Sequence, residues 1–266
     1  MDAFQAVILA AIQGLTEFLP VSSSGHLVLP QTLFGWADQG LAFDVAVHVG
    51  SLLAVLWYFR SEVTGILRDW FASLAGGGHN DNSRLGWMVI VATIPAVVAG
   101  LIFNDFIELN LRTGYVLATT TLVFGVILGV VDRYAKHSKN LADIGLRIAL
   151  IVGFAQAIAL IPGTSRSGIT ITAALMLGLN RSDSARFSFL LSMPIIAAAG
   201  SYKLLELIQS SVAVPWDLLF IGFAVSAVTA YACIHLFMNW VERMGMMPFA
   251  IYRVALAGIL FAVLAS

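Results

Sequence analysis

Long apolar stretches constrain the fold of this chain more than any other feature. A transmembrane helix needs about 20 apolar residues, and five stretches come close to or reach that length. They are residues 41–59, 86–103, 114–131, 187–203 and 218–238, and a sixth, shorter stretch starts near residue 254. Of the 266 residues, 59% are hydrophobic and 11% are charged, whereas about a quarter are charged in soluble domains. We therefore predict an all-α polytopic membrane protein with about six transmembrane helices, in a single membrane domain covering residues 1–266.

Two further apolar segments, residues 3–36 and 148–180, are interrupted near their centres. The interruptions read QGLTEFLPVSSSGHL (13–27) and QAIALIPGTSRSGIT (156–170), each with a proline and a cluster of hydroxyl residues and glycine. Irregular backbone at membrane depth is tolerated only where protein or a watery cavity surrounds it. We therefore predict that each segment is a re-entrant helix-loop-helix, whose two ends emerge on the same side of the membrane.

The two interruptions also indicate an internal duplication with an offset of about 143 residues. Pro20 aligns with Pro162 and Gly25 with Gly168 if one residue is inserted, which we place at Arg166. Repeat 1 then covers about residues 1–131 and repeat 2 about residues 144–266. Three full spans separate the two motifs, so we predict that the repeats are inverted and that the two turns face each other near the membrane midplane.

The basic residues predict the orientation of this arrangement. With both broken segments re-entrant, eleven of the 14 Lys and Arg residues lie on one side, and Arg112 and Lys203 lie on the other. Because cytoplasmic loops carry an excess of basic residues, the first side is assigned to the cytoplasm. The eleven include Arg253, which is expected to extend its side chain to the headgroups from the start of the last span. Arg166 remains inside the membrane.

The first motif carries a carboxylate that is costly within a membrane. An acidic residue at the bilayer centre costs about 3 kcal/mol on insertion scales, which favours Glu17 as a metal ligand or proton acceptor. The alternative is a protonated Glu17 that bonds a neighbouring helix. Gln13 lies on the same helical face. Ser22, Ser23 and Ser24 could serve only as helix caps, but with His26 and Glu17 they also supply a nucleophile, a base and an orienting group.

The second motif carries the charge that is hardest to explain structurally. A guanidinium stays ionised, so Arg166 requires an anionic partner. Glu17 could be that partner in a buried ion pair. Hydroxyls and backbone amides at a helix start instead suit the oxygens of a phosphate, and these come from Thr164, Ser165, Ser167 and Gly168. In the span after the first motif, Asp44 and His48 share a face and could line the same cavity. The net charge of −1 and the single Cys233 offer no nucleic-acid patch and no thiolate metal cluster.

Together the motifs resemble those of the integral-membrane undecaprenyl-diphosphate phosphatases of the bacitracin-resistance type. Gln13 and Glu17 fit an (E/Q)xxxE pattern that is followed by PVSSSGH (20–26), and residues 162–170 read PGTSRSGIT. The resemblance implies hydrolysis of undecaprenyl diphosphate to the monophosphate and phosphate, which recycles the lipid carrier for peptidoglycan and other wall polysaccharides and gives bacitracin resistance. It also implies a bacterial inner-membrane protein whose active site opens to the periplasm, with a homodimer as a plausible assembly.

The resemblance also assigns roles to residues. It implies that Glu17 is catalytic and holds Mg²⁺ or Ca²⁺, that Ser23 is the nucleophile with His26 as its base, and that Arg166 binds phosphate. In an alternative chemistry, His26 or Glu17 activates water directly. Gln13 occupies the first acidic position of the pattern, where it cannot act as a carboxylate base. The expected substrate contacts are Gln13, Ser22, Ser24, Thr164, Ser165, Ser167 and Gly168.

Two other functional classes remain open at this stage. Inverted repeats with broken helices are typical of transporters, and a lipid-phosphate flippase would use Arg166 and the hydroxyls for binding alone. An intramembrane serine protease would leave Arg166 unexplained.

Overall fold

The computed structural model describes residues 1–209 and 215–265, and its regular secondary structure is helical. The helices are α1 (Ala3–Thr16), α2 (Ser23–Phe34), α3 (Leu41–Tyr58), α4 (Arg60–Leu74), α5 (Asp81–Asn110), α6 (Gly114–Tyr134), α7 (Leu146–Ile158), α8 (Arg166–Met176), α9 (Arg181–Gln209), α10 (Trp216–Met244) and α11 (Met247–Ala265), with a 3-10 turn at Leu141–Asp143.

Within the described residues, six helices are long and apolar enough to cross a membrane: α3, α5, α6, α9, α10 and α11. They coincide with the six predicted spans, although α11 begins at Met247 instead of near residue 254. Of the five shorter α-helices in the described residues, α1, α2, α7 and α8 form the two predicted broken segments. The prediction of an all-α polytopic membrane protein is confirmed.

The segment formed by α7 and α8 begins and ends at the same end of the molecule. The backbone N–H groups of Ser138 and Lys139, just before α7, both donate to the carbonyl of Gly178, just after α8. Asn180 N–H donates in return to the carbonyl of Lys139, at 2.8 Å. This pairing leaves the segment no route across the membrane, so it is re-entrant, as the charge pattern predicted.

The segment formed by α1 and α2 returns to the opposite end. Near the start of α1, Ala6 and Leu9 share an apolar cluster with Phe43 of α3 and Leu219 of α10, and Trp36 packs against the same cluster. Residues on both sides of this broken segment therefore meet at one end of the bundle. The two segments enter from opposite ends, which gives the inverted arrangement.

The halves of the chain are interlocked, because each broken segment packs on a helix of the other half. Helix α1 lies against α10, α7 lies against α5, and α6 pairs with α11. This exchange covers the backbone breaks with protein, as irregular structure in a membrane requires. The repeat boundaries near residues 131 and 144 stay a prediction.

The structure corrects the predicted alignment of the motifs. Ser22 precedes α2 and Ser165 precedes α8, and both have positive φ, 74° and 68°. These two cap residues are 143 positions apart, and the same offset relates Gly25 to Gly168. No insertion is needed, so Arg166 corresponds to Ser23. Aligning on the prolines was misleading, because the helices begin directly after the serine caps and the prolines lie outside them.

Helix α4 lies between the first two predicted spans, where the sequence predicts no helix. One side of α4 packs on the core through Ile66, whereas the apolar side chains of Leu67 and Phe71 on another side are exposed. Its Asp69 carboxylate accepts from the side-chain amides of Asn80 and Asn82 at 3.0 and 2.8 Å, which ties α4 to the start of α5.

Candidate active site

The two broken turns lie against each other, as the inverted repeat predicted. The backbone N–H of Gly163 in the second turn donates to Ser24 Oγ of the first at 3.3 Å. In return, Ser167 Oγ donates to the carbonyl of Leu19 at 2.8 Å. The hydroxyl-rich sequences of the two halves therefore form one composite site.

The Glu17 carboxylate is at the centre of this site. Its Oε1 lies 3.1 Å from Arg166 Nη2, and its Oε2 accepts from Gln13 Nε2 at 2.9 Å and from Ser23 Oγ at 3.2 Å. The Glu17 and Arg166 side chains are 9% and 14% exposed. Desolvation offsets most of the attraction in a buried ion pair, so the pair contributes little net stability. Three predicted site residues, Arg166, Gln13 and Ser23, thus converge on the carboxylate of a fourth.

The serine caps explain how these side chains reach Glu17. Each cap adopts a φ that is unfavourable for a residue with a side chain, and such strain is characteristic of functional sites. Ser23 and Arg166 are the first residues of α2 and α8, so equivalent positions in the two repeats both bond to Glu17. The cap hydroxyls bond within their own turns: Ser22 Oγ lies 3.2 Å from Ser24 Oγ, and Ser165 Oγ lies 3.3 Å from Ser167 Oγ.

Ser165 also satisfies the start of α8. Its hydroxyl accepts from the backbone N–H of Gly168 at 3.1 Å, as a helix N-cap does. Thr164 is fully buried, and its hydroxyl has no hydrogen-bond partner among the described residues. All seven residues expected to contact substrate therefore lie in or beside the two turns.

The structure does not bring His26 to the Ser23 hydroxyl. His26 Nδ1 lies 2.7 Å from the carbonyl of Ser22, and Nε2 lies 2.6 Å from the hydroxyl of Tyr252. The His26 and Tyr252 rings are stacked, with centroids 5.5 Å apart and planes within 1°. The Ser23 hydroxyl donates instead to Glu17, so the hydrogen bond that a Ser–His pair requires is made by the carboxylate.

The prediction that the Arg253 side chain extends to the headgroups is wrong. It is fully buried and does not extend to the headgroups. Its Nη2 donates to the carbonyls of Gly163 and Thr164 at 2.9 and 3.0 Å, and its Nε donates to that of Thr121 at 3.2 Å. The guanidinium turns inward because α6 and the second turn offer carbonyls that satisfy its N–H groups away from solvent. Two arginines, Arg166 and Arg253, therefore lie inside the membrane domain.

The second turn fits closely against α6 as well. Thr120 Oγ1 donates to the carbonyl of Pro162, and Thr121 Oγ1 donates to that of Gly163 at 3.3 Å. Gly163 has φ +88°, and a Cβ at this position would overlap the side chain of Thr120 and the carbonyl of Leu117. Only glycine fits here without displacing α6 or the turn.

A cavity of about 310 Å³ opens beside the Glu17 carboxylate. It is lined by Glu17, Ser23 and Arg166, and also by Asp44 and His48, as their shared helical face predicted. His48 Nδ1 lies 2.7 Å from the carbonyl of Asp44, to which this nitrogen donates its proton.

Lys203 lines the same cavity. The sequence predicts only that Lys203 lies on the side opposite the cytoplasm. The cavity adjoins a second one of about 650 Å³ that shares Asp44, His48 and Lys203 and extends to Arg112. Lys203 and Arg112 are the two basic residues assigned to the basic-poor side. The site therefore opens toward that side.

Comparison with known proteins agrees with the motifs. Residues 6–259 match the family described as Bacitracin resistance protein BacA. The undecaprenyl-diphosphatase of Teredinibacter turnerae is 59% identical over 261 residues, which are 98% of this chain and 99% of the relative. Those of Saccharophagus degradans and Hahella chejuensis are 55% and 56% identical, each over 98% of both chains. The matches span both broken turns and all six membrane-crossing helices, so the chain belongs to the BacA family of bacitracin-resistance proteins.

Proposed function

We propose that this protein hydrolyses undecaprenyl diphosphate to undecaprenyl phosphate and phosphate, which returns the lipid carrier to wall synthesis and gives bacitracin resistance. The observation that carries the proposal is the Glu17 carboxylate, which holds a serine hydroxyl and a guanidinium at the edge of a cavity. A carboxylate, a hydroxyl and an arginine are the groups that phosphoryl transfer needs for proton transfer, attack and charge stabilisation. The names of the relatives support the same substrate.

Arg166 is suited to bind the terminal phosphoryl group. Its Nη2 bonds Glu17 and its Nη1 bonds the carbonyl of Ser188 at 3.2 Å. A guanidinium has five N–H donors, so donors remain for phosphate oxygens without breaking either contact. The start of α8 adds the positive end of a helix dipole at the same place.

In the proposed reaction, Ser23 Oγ attacks the terminal phosphorus and its proton passes to Glu17 Oε2. The bond from that phosphorus to the bridging oxygen breaks, and the leaving undecaprenyl phosphate takes the proton from Glu17. Water then attacks the phosphoserine and gives a proton to Glu17, the bond between phosphorus and Ser23 Oγ breaks, and Glu17 returns the proton to Ser23 Oγ as phosphate leaves. In the alternative, Glu17 activates water for direct attack and Ser23 only donates a hydrogen bond. The hydrogen bond between Ser23 and Glu17 favours the carboxylate over His26 as the proton acceptor.

The divalent cation, Mg²⁺ or Ca²⁺, is proposed to bind at Glu17. The described residues contain no group of three or more His, Cys, Asp and Glu side chains that could hold a metal. Mg²⁺, however, is commonly held by one or two carboxylates together with substrate phosphates. Gln13 directs its Nε2 at Glu17, and its buried Oε1 has no hydrogen-bond partner among the described residues, so rotation of the amide would turn a second oxygen toward a cation at Glu17. A bound cation would neutralise charge on the diphosphate.

We propose that the protein is an inner-membrane protein whose site opens to the periplasm. The support is that the cavity is lined by Lys203 and its extension by Arg112, at the end of the molecule with few basic residues. The exposed side chains of Leu101, Phe103 and Phe106 in α5, a helix that lines the second cavity, suit the polyprenyl tail. A homodimer stays a prediction.

A lipid-phosphate flippase is the second candidate, because the chain consists of inverted repeats with broken helices. Purified protein in detergent separates the two, since hydrolysis does not need a sealed bilayer and transport does. We expect phosphate release from a polyprenyl diphosphate, and losses of about 100-fold or more in Glu17→Gln and Arg166→Ala. The exposed residues Glu206 and Arg243 provide the matched controls Glu206→Gln and Arg243→Ala. Robust activity in both site variants would contradict the proposed site, and transport without any release would favour the flippase.

A further inference from the structure

Two adjacent residues of α11, Tyr252 and Arg253, each contact one of the two broken turns. We propose that they are positioning residues, which hold the strained turns at the separation that the proposed phosphatase reaction needs. The inference rests on the proposed function. Neither residue lines the cavity beside Glu17, so they act on the reaction through the residues they hold and, for Arg253, also through its charge.

Tyr252 acts on the first turn through His26. Because the partner of His26 Nδ1 is a carbonyl, that nitrogen donates its proton, and in the neutral ring Nε2 accepts from the Tyr252 hydroxyl. The chain of hydrogen bonds therefore runs from Tyr252 to His26 to the carbonyl of Ser22. Ser22 is the residue with φ 74° immediately before Ser23. Fixing its carbonyl fixes the peptide that orients the Ser23 hydroxyl toward Glu17.

Arg253 acts on the second turn directly. The two carbonyls that its Nη2 binds belong to Gly163 and Thr164, the residues just before the cap Ser165. The third carbonyl, of Thr121, ties the same guanidinium to α6. This arrangement fixes the start of α8, where Arg166 is the first residue, in the way that Tyr252 fixes the start of α2.

The charge of Arg253 has a second effect on the site. It is fully buried, and among the described residues no carboxylate forms an ion pair with it. Its Nη1 has no hydrogen-bond partner there and lies 2.7 Å from where a Cβ on Gly168 would be, beside the first turn of α8. An unpaired buried cation is costly, and an anion bound at this helix start would offset that cost.

The geometry of α11 makes the two contacts interdependent. Adjacent residues of a helix point about 100° apart, so neighbouring side chains can reach turns that lie on different sides of α11. The helix also packs along α6, whose Thr120 and Thr121 hold the second turn. One rigid element therefore sets the position of Ser23 relative to Arg166, and a small displacement of either would separate them from Glu17.

The test uses the purified full-length chain in detergent, with phosphate release from a polyprenyl diphosphate and thermal unfolding measured on the same samples. Tyr252→Phe keeps the stacked ring and removes only the hydroxyl. We expect its kcat to fall about tenfold, its KM to change less than about twofold and its Tm to stay near that of the wild type, since only the attack geometry is affected. Tyr134→Phe, at an exposed tyrosine, is the matched control and should behave as wild type.

Arg253→Lys and Arg253→Met separate position from charge. Lysine keeps the charge but cannot reproduce the planar fork, so kcat should fall about tenfold with little change in KM. Methionine removes both the charge and the planar fork, so kcat should fall and KM should also rise. Arg243→Lys is the control. If the methionine variant fails to fold, the lysine variant still decides the question.

Wild-type kcat in both Tyr252→Phe and Arg253→Lys would overturn the inference, and so would losses that follow the folded fraction. A loss in one of them alone would overturn the role of the other residue. An inactive wild-type protein would instead contradict the proposed function.

Discussion

At the level of single residues, the Ser23 hydroxyl has a proton acceptor in Glu17 Oε2, 3.2 Å away. We therefore expect a phosphoserine intermediate. Acid quenching of a reaction with substrate labelled on its terminal phosphorus should leave label on the protein at Ser23. Ser23→Ala should abolish the label and lower phosphate release by at least about 100-fold. Ser61→Ala, at an exposed serine of α4, should change neither. Substantial activity in Ser23→Ala without trapped label would favour direct attack by water.

The sequence predicted which residues form the site better than it predicted what each one contacts. Glu17 and Arg166 could be identified because a charge inside a membrane needs a reason to be there. The partner of His26 could not, because Tyr252 lies 226 positions away along the chain. Arg253 was misassigned for a similar reason: near a helix end, an arginine that extends to the headgroups and one that turns inward have the same local sequence. The carbonyls that bind it come from the second turn and from α6, which are distant along the chain.

At the level of elements, the second turn depends on the close approach of Gly163 to α6. Gly163→Ala would place a side chain at φ +88° and against Thr120. We expect it to lower the unfolding free energy by about 1–3 kcal/mol and to reduce phosphate release by displacing Arg166. Thermal unfolding in detergent and the phosphate assay measure the two effects.

Gly258→Ala is the control for that substitution. Gly258 lies in α11, and no atom is within 4 Å of the position a Cβ would take, so alanine should leave activity unchanged and raise stability by up to about 1 kcal/mol. An unchanged Tm in Gly163→Ala would show that the turn can shift to accept a side chain.

The elements themselves were mostly predictable, because membrane spans and prolines leave strong signals. The sequence pattern of helix α4 is weaker than that of the membrane spans. One side of α4 faces the protein, and Leu67 and Phe71 on another side are exposed. The motif alignment failed for a different reason. Backbone conformation, with positive φ at Ser22 and Ser165, defines the equivalence of the turns, and no residue type in the sequence reports that conformation.

At the scale of the whole molecule, the repeats share a scaffold but carry different chemistry. With the offset of 143, Glu17 corresponds to Leu160 and Ser23 corresponds to Arg166. One repeat thus supplies the carboxylate and the hydroxyl, and the other supplies the cation. The inverted packing brings these into one site, where two identical turns would have placed either two carboxylates or two guanidinium groups together.

The orientation of this site can be tested with single cysteines. With Arg253 buried, ten basic residues remain at one end of the molecule, against Arg112 and Lys203 at the other. The positive-inside rule then places Lys203 outside. In intact cells, a membrane-impermeant maleimide should label Lys203→Cys. The matched variant Lys136→Cys should be labelled only after the membrane is opened. Background labelling should be low, because the single native Cys233 is buried. Labelling of Lys136→Cys alone in intact cells would reverse the orientation and would mean that the site opens to the cytoplasm.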